Sequence, residues 1–275
     1  MLNAGPNTTN PHDSNRTPCG SSVGSAAAVA DFQVPLSFGT QSGGSVIRPA
    51  SHTGIFAMKP THNAISAEGV KLVSFNIDNI DTCGFFARSI EDPQLVANVF
   101  ALGKDEPLKT VPLKETRIAF IKPSFWPSAG SGTVTVMEKA AKILKKHCVL
   151  VEEIDLLSEF SNEQTLWRTH RMILDVEAQA AFLMEYRMDK TKLSPKIRSI
   201  VENASNFTLK ETVEAVDRYA RMRSTFDKFA ANFSAIITPY RYGYSGPRTR
   251  RYGHSRFTFP QTVSLIFVYW SSNHF

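Results

Sequence analysis

Gly39-Thr40-Gln41-Ser42-Gly43-Gly44-Ser45 is the stretch on which the reading of this chain turns. Two adjacent glycines between two serines, with no bulky side chain, let successive backbone N–H groups turn toward one point. No Cβ there blocks a carbonyl from approaching them. Acyl transfer needs a nucleophile, a group that takes and returns its proton, and donors aimed at the developing oxyanion. The loop offers the first in Ser45 and the third in the N–H groups of Ser42, Gly43, Gly44 and Ser45. A serine hydroxyl is protonated at neutral pH, so Ser45 also needs a base, and no histidine is placed by sequence to supply one. The lysine that follows the last glycine of a phosphate-binding loop is absent, which sets a nucleotide site aside.

Upstream lies a second loop of small hydroxyl residues, Cys19-Gly20-Ser21-Ser22-Val23-Gly24-Ser25, ahead of the helix-forming run Ala26 to Ala30. A serine there can relay a proton without steric hindrance. The same residues fit a nucleophile elbow centred on Ser22, but that turn must follow a strand. Residues 6 to 18, rich in Pro and Asn, predict irregular chain instead.

Thr17-Pro18-Cys19-Gly20-Ser21-Ser22-Val23-Gly24-Ser25-Ala26-Ala27-Ala28-Val29-Ala30 followed by Gly39 to Ala50 resembles both halves of the amidase signature. Gly54-Ile55-Phe56-Ala57-Met58-Lys59-Pro60-Thr61 and Asp81-Thr82-Cys83-Gly84-Phe85-Phe86-Ala87-Arg88-Ser89 resemble the next two segments of that family in the same order. The resemblance implies a Ser/cis-Ser/Lys site for amide hydrolysis. Ser45 falls on its acyl nucleophile. Ser21, after a cis Gly20–Ser21 bond, falls on its proton relay, and the N–H groups of Ser42, Gly43, Gly44 and Ser45 match its oxyanion hole. Cys19 stands where the family usually has glycine, so the resemblance puts a crowded residue beside Ser21.

One member of the implied triad is missing from these residues. The lysine of the family lies well upstream of the relay serine, whereas the first lysine here is Lys59, which matches a separate Lys-Pro-Thr element. The expectation is an amidase signature domain over 1–239, N-terminally truncated, acting on carbon-nitrogen bonds of non-peptide amides through an acyl-serine. This polypeptide itself is expected to be an inactive fragment. The alternatives are a non-catalytic binding fragment or pseudoenzyme, or an amidotransferase-type subunit. Gln41 and Val46-Ile47-Arg48 favour stand-alone amidases over that last branch.

The fold implied is α/β, a mixed sheet core flanked by helices, incomplete at both ends. Val34 to Phe38 and Gly54 to Met58 read as strands, Gly39 to Ser45 as a loop, and Ser89 to Leu102 as a helix with Ile90, Leu95, Val96 and Val99 on one face. Residues 116 to 121, 133 to 147 and 148 to 154 read as strand, helix and strand, which predicts a parallel pair. Residues 158 to 187 and 208 to 232 read as helical, the second opening on the capping box Thr208-Leu209-Lys210-Glu211, and 235 to 238 as a strand.

Charge and composition restrict the function class. The net charge of +6 invites a nucleic-acid reading, but Arg241, Arg248, Arg250, Arg251 and Arg256 lie in an acid-free stretch, and the rest is nearly balanced. Residues 240–275 form an atypical basic and aromatic tail, expected to lie outside the fold. No nucleic-acid partner and no membrane span is expected, since no apolar run reaches the length a span needs. Three scattered cysteines and unclustered histidines suggest neither disulfides nor a metal site, no cofactor is implied, and a reducing, cytoplasmic setting is expected. Cys83 and Cys148 are expected in the core, and Arg48 is expected to brace backbone carbonyls. The partner expected is a small-molecule amide.

Overall fold

The first half of the chain is organised around one buried strand. The computed structural model describes residues 8–66, 80–102, 111–239 and the backbone of 266–270. In the first half, α1 (Val23–Ala30), β1 (Leu36–Gln41), α2 (Ile47–Thr53), β2 (Phe56–Met58), β3 (Thr82–Ala87) and α3 (Glu91–Val99) follow one another. The sheet order is β1-β3-β2, antiparallel throughout. Every residue of β3 is buried. Its side chains alternate between two apolar layers: Phe86 packs with Ala26, Val29, Val46, Ile47 and Ala50, while Cys83 and Phe85 pack with Ile65 and Val96.

Gly39 was expected in a loop, but it lies within β1, opposite Gly84. A Cβ at Gly39 would sit 2.6 Å from Ser22 Oγ and 2.9 Å from the Phe86 ring, so this glycine marks a close approach rather than a bend. On α3 only Val96 of the expected apolar face is buried, with Ile90, Leu95 and Val99 exposed. Residues 8–18 are irregular, as expected, yet pinned down. Asn10 Nδ2 donates to the His52 carbonyl at 2.7 Å and His12 Nε2 lies 2.8 Å from the Thr53 carbonyl, which supplies partners for the last turn of α2.

The second half repeats the two-layer plan with a largely parallel sheet. It contains β4 (Arg117–Ile121), α4 (Ser131–Lys146), β5 (Leu150–Ile154), α5 (Glu163–Ala181), α6 (Leu183–Asp189), α7 (Pro195–Val201), α8 (Leu209–Ala230), β6 (Ala235–Pro239) and β7 (Ile266–Trp270). The order is β5-β4-β6-β7, with β4 parallel to β5 and β6, and β7 antiparallel to β6. The predicted strand-helix-strand pair is therefore present. Ile118 and Phe120 face Met137 of α4, while Ala119 and Ile121 face Ala230 and Phe233 at the end of α8. The capping box also forms: Thr208 Oγ1 accepts the Glu211 N–H at 3.2 Å, and the Glu211 carboxylate accepts the Thr208 N–H at 3.0 Å.

The architecture is the expected mixed α/β one, with helices gathered in the second half. Cys148 departs from expectation: it is exposed, because it follows α4 in a left-handed conformation (φ 63) that turns it out of the core. Apart from β7, residues 240–275 lie outside the described residues, and with them most of the expectation that this tail stands apart from the fold. Among the described residues no helix is long and apolar enough to cross a membrane.

Candidate active site

The two serine loops meet at the end of β1. Ser22 Oγ donates to the Thr40 carbonyl and accepts the Thr40 N–H, both at 3.2 Å, so a side chain of the first loop completes the hydrogen bonding of the strand that leads into the second. The Ser22 N–H also donates to the Ser45 carbonyl at 3.2 Å. Arg48 Nη2 donates to the Gly20 carbonyl at 2.9 Å, which is the bracing role expected of it. The peptide bond between Gly20 and Ser21 is cis. Ser21 is exposed and Ser45 half-buried.

Gln41 sets the turn between the loop and α2. Its buried Oε1 accepts the Val46 and Ile47 N–H groups, each at 3.0 Å, satisfying donors at a helix start that have no intrahelical partner. Ser42 Oγ donates to Asp81 Oδ1, and this pairing follows from register: Gln41 lies opposite Thr82, so the next residue on one strand meets the preceding one on the other. Cys19 adopts φ 61, the left-handed region that favours glycine, and its N–H donates to Thr17 Oγ1 at 3.0 Å. A side chain at Cys19 therefore occupies backbone that favours glycine.

Helices α5 and α8 bring residues that sequence alone did not single out. His170 lies with Nε2 3.3 Å from where a Cβ on Gly43 would stand. Its ring is flanked by Trp167 at 6.0 Å and Tyr219 at 6.4 Å between centroids, and the Arg223 guanidinium lies over Tyr219 at 5.2 Å. Burial first, then Arg171, lower the His170 pKa below the ordinary 6.5, and Asp81 opposes them. More than a hundred residues separate His170 from Gly43, so no local spacing signals this contact. Lys59 donates to the Pro60 carbonyl at 2.8 Å, and burial, reinforced by Arg223, lowers its pKa.

The amidase family matches residues 3–244, and the chain belongs to that family. Among curated proteins it is similar to the A subunit of the glutamyl-tRNA(Gln) amidotransferase of Fusobacterium nucleatum, 36% identical over 163 residues, or 54% of this chain and 33% of that protein. Its namesake from Treponema pallidum is 48% identical over 98 residues, or 36% of this chain and 19% of that protein. The chain thus spans a third or less of the curated relatives it matches. These relatives belong to the branch that Gln41 and Val46-Ile47-Arg48 were expected to disfavour. Among solved structures, an amidase superposes with a TM-score of 0.75 at 23% identity, over 88% of this chain and 53% of that one. A 6-aminohexanoate cyclic dimer hydrolase superposes at 0.70 and 21% identity, over 88% and 54%. At such identities the superpositions establish the fold.

Proposed function

We propose that this chain carries the nucleophile, relay and oxyanion elements of an amide-cleaving acyl-transfer site of the amidotransferase kind. Ser45 attacks the carbonyl of a small amide, the N–H groups of Ser42 to Ser45 receive the developing oxyanion, and Ser21 carries the Ser45 proton toward the leaving nitrogen. The carbon-nitrogen bond breaks, the nitrogen leaves protonated, and water or a second acceptor takes the acyl group from Ser45. The observation that carries this reading is the fastening of the two loops, with Ser22 bound to Thr40 and Ser45 and Arg48 to Gly20. It ties the segment that holds Ser21 to the turn that holds Ser45. The curated relatives named above support the amidotransferase branch.

A second reading, binding without turnover, is favoured by one observation: the Lys59 ammonium is engaged with the Pro60 carbonyl. Assay of the 275-residue protein for ammonia release from glutamine and from simple aliphatic and aryl amides separates the two. Turnover abolished by Ser45→Ala upholds the first. Saturable amide binding with no ammonia release upholds the second, and turnover unaffected by Ser45→Ala contradicts both.

A further inference from the structure

We infer that His170 is a positioning residue of the Ser42–Ser45 loop, bracing Gly43 with its imidazole edge and coupling the affinity of the loop for an anion to its own protonation. The inference rests on the reading of that loop as an oxyanion site. Three elements converge there. The loop leaves β1, Asp81 precedes β3 and holds Ser42 Oγ, and α5 sets His170 Nε2 3.3 Å from the side-chain position of Gly43. Gly43 is exposed, and the imidazole edge lies against one side of it.

The groups around His170 decide its charge. Arg171 on its own helix and burial between Trp167 and Tyr219 disfavour the imidazolium, and Asp81 across the loop favours it. On α8, Tyr219 carries Arg223 over its ring and is itself held neutral by burial. These groups together shift the ring toward its neutral form, with one carboxylate opposing them. An anion received by the loop adds a second negative charge beside it. Protonation and anion binding then favour each other by the same factor, because coupling between two sites is reciprocal. Neutral His170 acts as a spacer, and charged His170 adds to the field of the loop.

Benzoate, a carboxylate that stays ionised from about pH 5.5 to 8, tests this without requiring turnover. Calorimetric titration is expected to give a Kd about fivefold or more tighter at pH 5.5 than at pH 8, the low end of typical coupling between sites. His170→Gln keeps an amide in place of the ring and is expected to bind benzoate with an affinity flat in pH. In NMR titrations the His170 midpoint is expected to rise with benzoate and to move in Gly43→Ala, whose Cβ meets the ring. Absent benzoate binding, a pH dependence that survives His170→Gln, or a midpoint that neither benzoate nor Gly43→Ala moves would overturn the inference. The two readings fail separately: turnover that survives Ser45→Ala overturns the nucleophile, while the benzoate coupling stands or falls on its own titrations.

Discussion

The β1-β3-β2 sheet and the β5-β4-β6-β7 sheet are both sandwiched between apolar layers, yet they are fastened to their surroundings by different forces. In the second, contact among Ile118, Phe120, Met137, Val149, Val151, Ala235 and Ile237 accounts for how α4 lies on the strands. In the first, the apolar layer under Phe86 is joined by side-chain to backbone hydrogen bonds that run between loops: Ser22 to Thr40, Gln41 to Val46 and Ile47, Arg48 to Gly20, and Arg88 to the carbonyls of Val29 and Val34. Apolar packing is non-directional and holds an element down, whereas hydrogen bonds to specific carbonyls and N–H groups also fix which way a loop faces. In the half that presents Ser21 and Ser45 such bonds join loop to loop, whereas in the second half those from Arg117 to Ser234 Oγ and the Asn232 carbonyl join β4 to the segment entering β6.

Truncating a buried side chain in each half is the most forceful way to break this comparison. Phe86→Ala and Met137→Ala both remove fully buried side chains, and in denaturant unfolding the first is expected to cost about 3–5 kcal/mol and the second about 2–5 kcal/mol. They should part in their effect on the cleft. Phe86 packs against Val46, directly after Ser45, so its loss should weaken benzoate binding in the remaining folded protein, which Met137→Ala should leave unchanged. Equal effects on binding would dissolve the distinction between the halves.

Gln41→Leu comes next. It strands the Val46 and Ile47 N–H groups at a cost of about 1–3 kcal/mol for each, measurable as a lower denaturation midpoint, and it should release the Ser42–Ser45 turn. A stability unchanged from wild type would mean that the α2 start does not depend on Gln41.

Smaller gains are expected where a side chain occupies glycine-favouring backbone. Cys19 (φ 61) and Cys148 (φ 63) both do so, one beside the relay loop and the other at the end of α4. Replacement by glycine relieves roughly 1 kcal/mol in each case, partly offset by the greater freedom of the unfolded chain. Cys148→Gly should raise the melting temperature alone, and Cys19→Gly should also change benzoate affinity. If both changed stability alone, Cys19 would be no part of the site.

The smallest effect is the pH dependence carried by His170. Its pKa lies below 6.5 in the folded protein, so the unfolded chain takes up the proton first as the solution is acidified. The stability it contributes is full above pH 6.5 and is lost as pH falls through the folded value. Thermal melts between about pH 7.5 and 5.5 should therefore lose less stability in His170→Gln than in wild type.

How much of this was legible from the amino acids follows from the range of each interaction. Met137, Ala141 and Leu144 announce α4 by their spacing, and the Thr208 to Glu211 box announces α8, because both signals sit within a few turns of chain. β3 escapes a periodic reading, since Thr82 to Ala87 is buried on both faces and so shows no polar alternation. Gly39 misled in the other direction: a glycine demanded by the approach of Ser22 and Phe86 looks like a turn until those partners are seen. The Ser21 and Ser45 loops were readable as a motif. His170 and its contact with Gly43 depend on how α5 lies over the first sheet, which no spacing within either segment encodes.

Ser45 is proposed as the reactive group where the two serine loops meet. Intact-protein mass spectrometry after exposure to a fluorophosphonate, followed by peptide mapping, tests it most directly. One adduct is expected, on Ser45, absent in Ser45→Ala and formed at least about tenfold more slowly in Ser21→Ala, as for loss of a general acid–base group. An adduct on another residue, or labelling at the wild-type rate in Ser45→Ala, would contradict it.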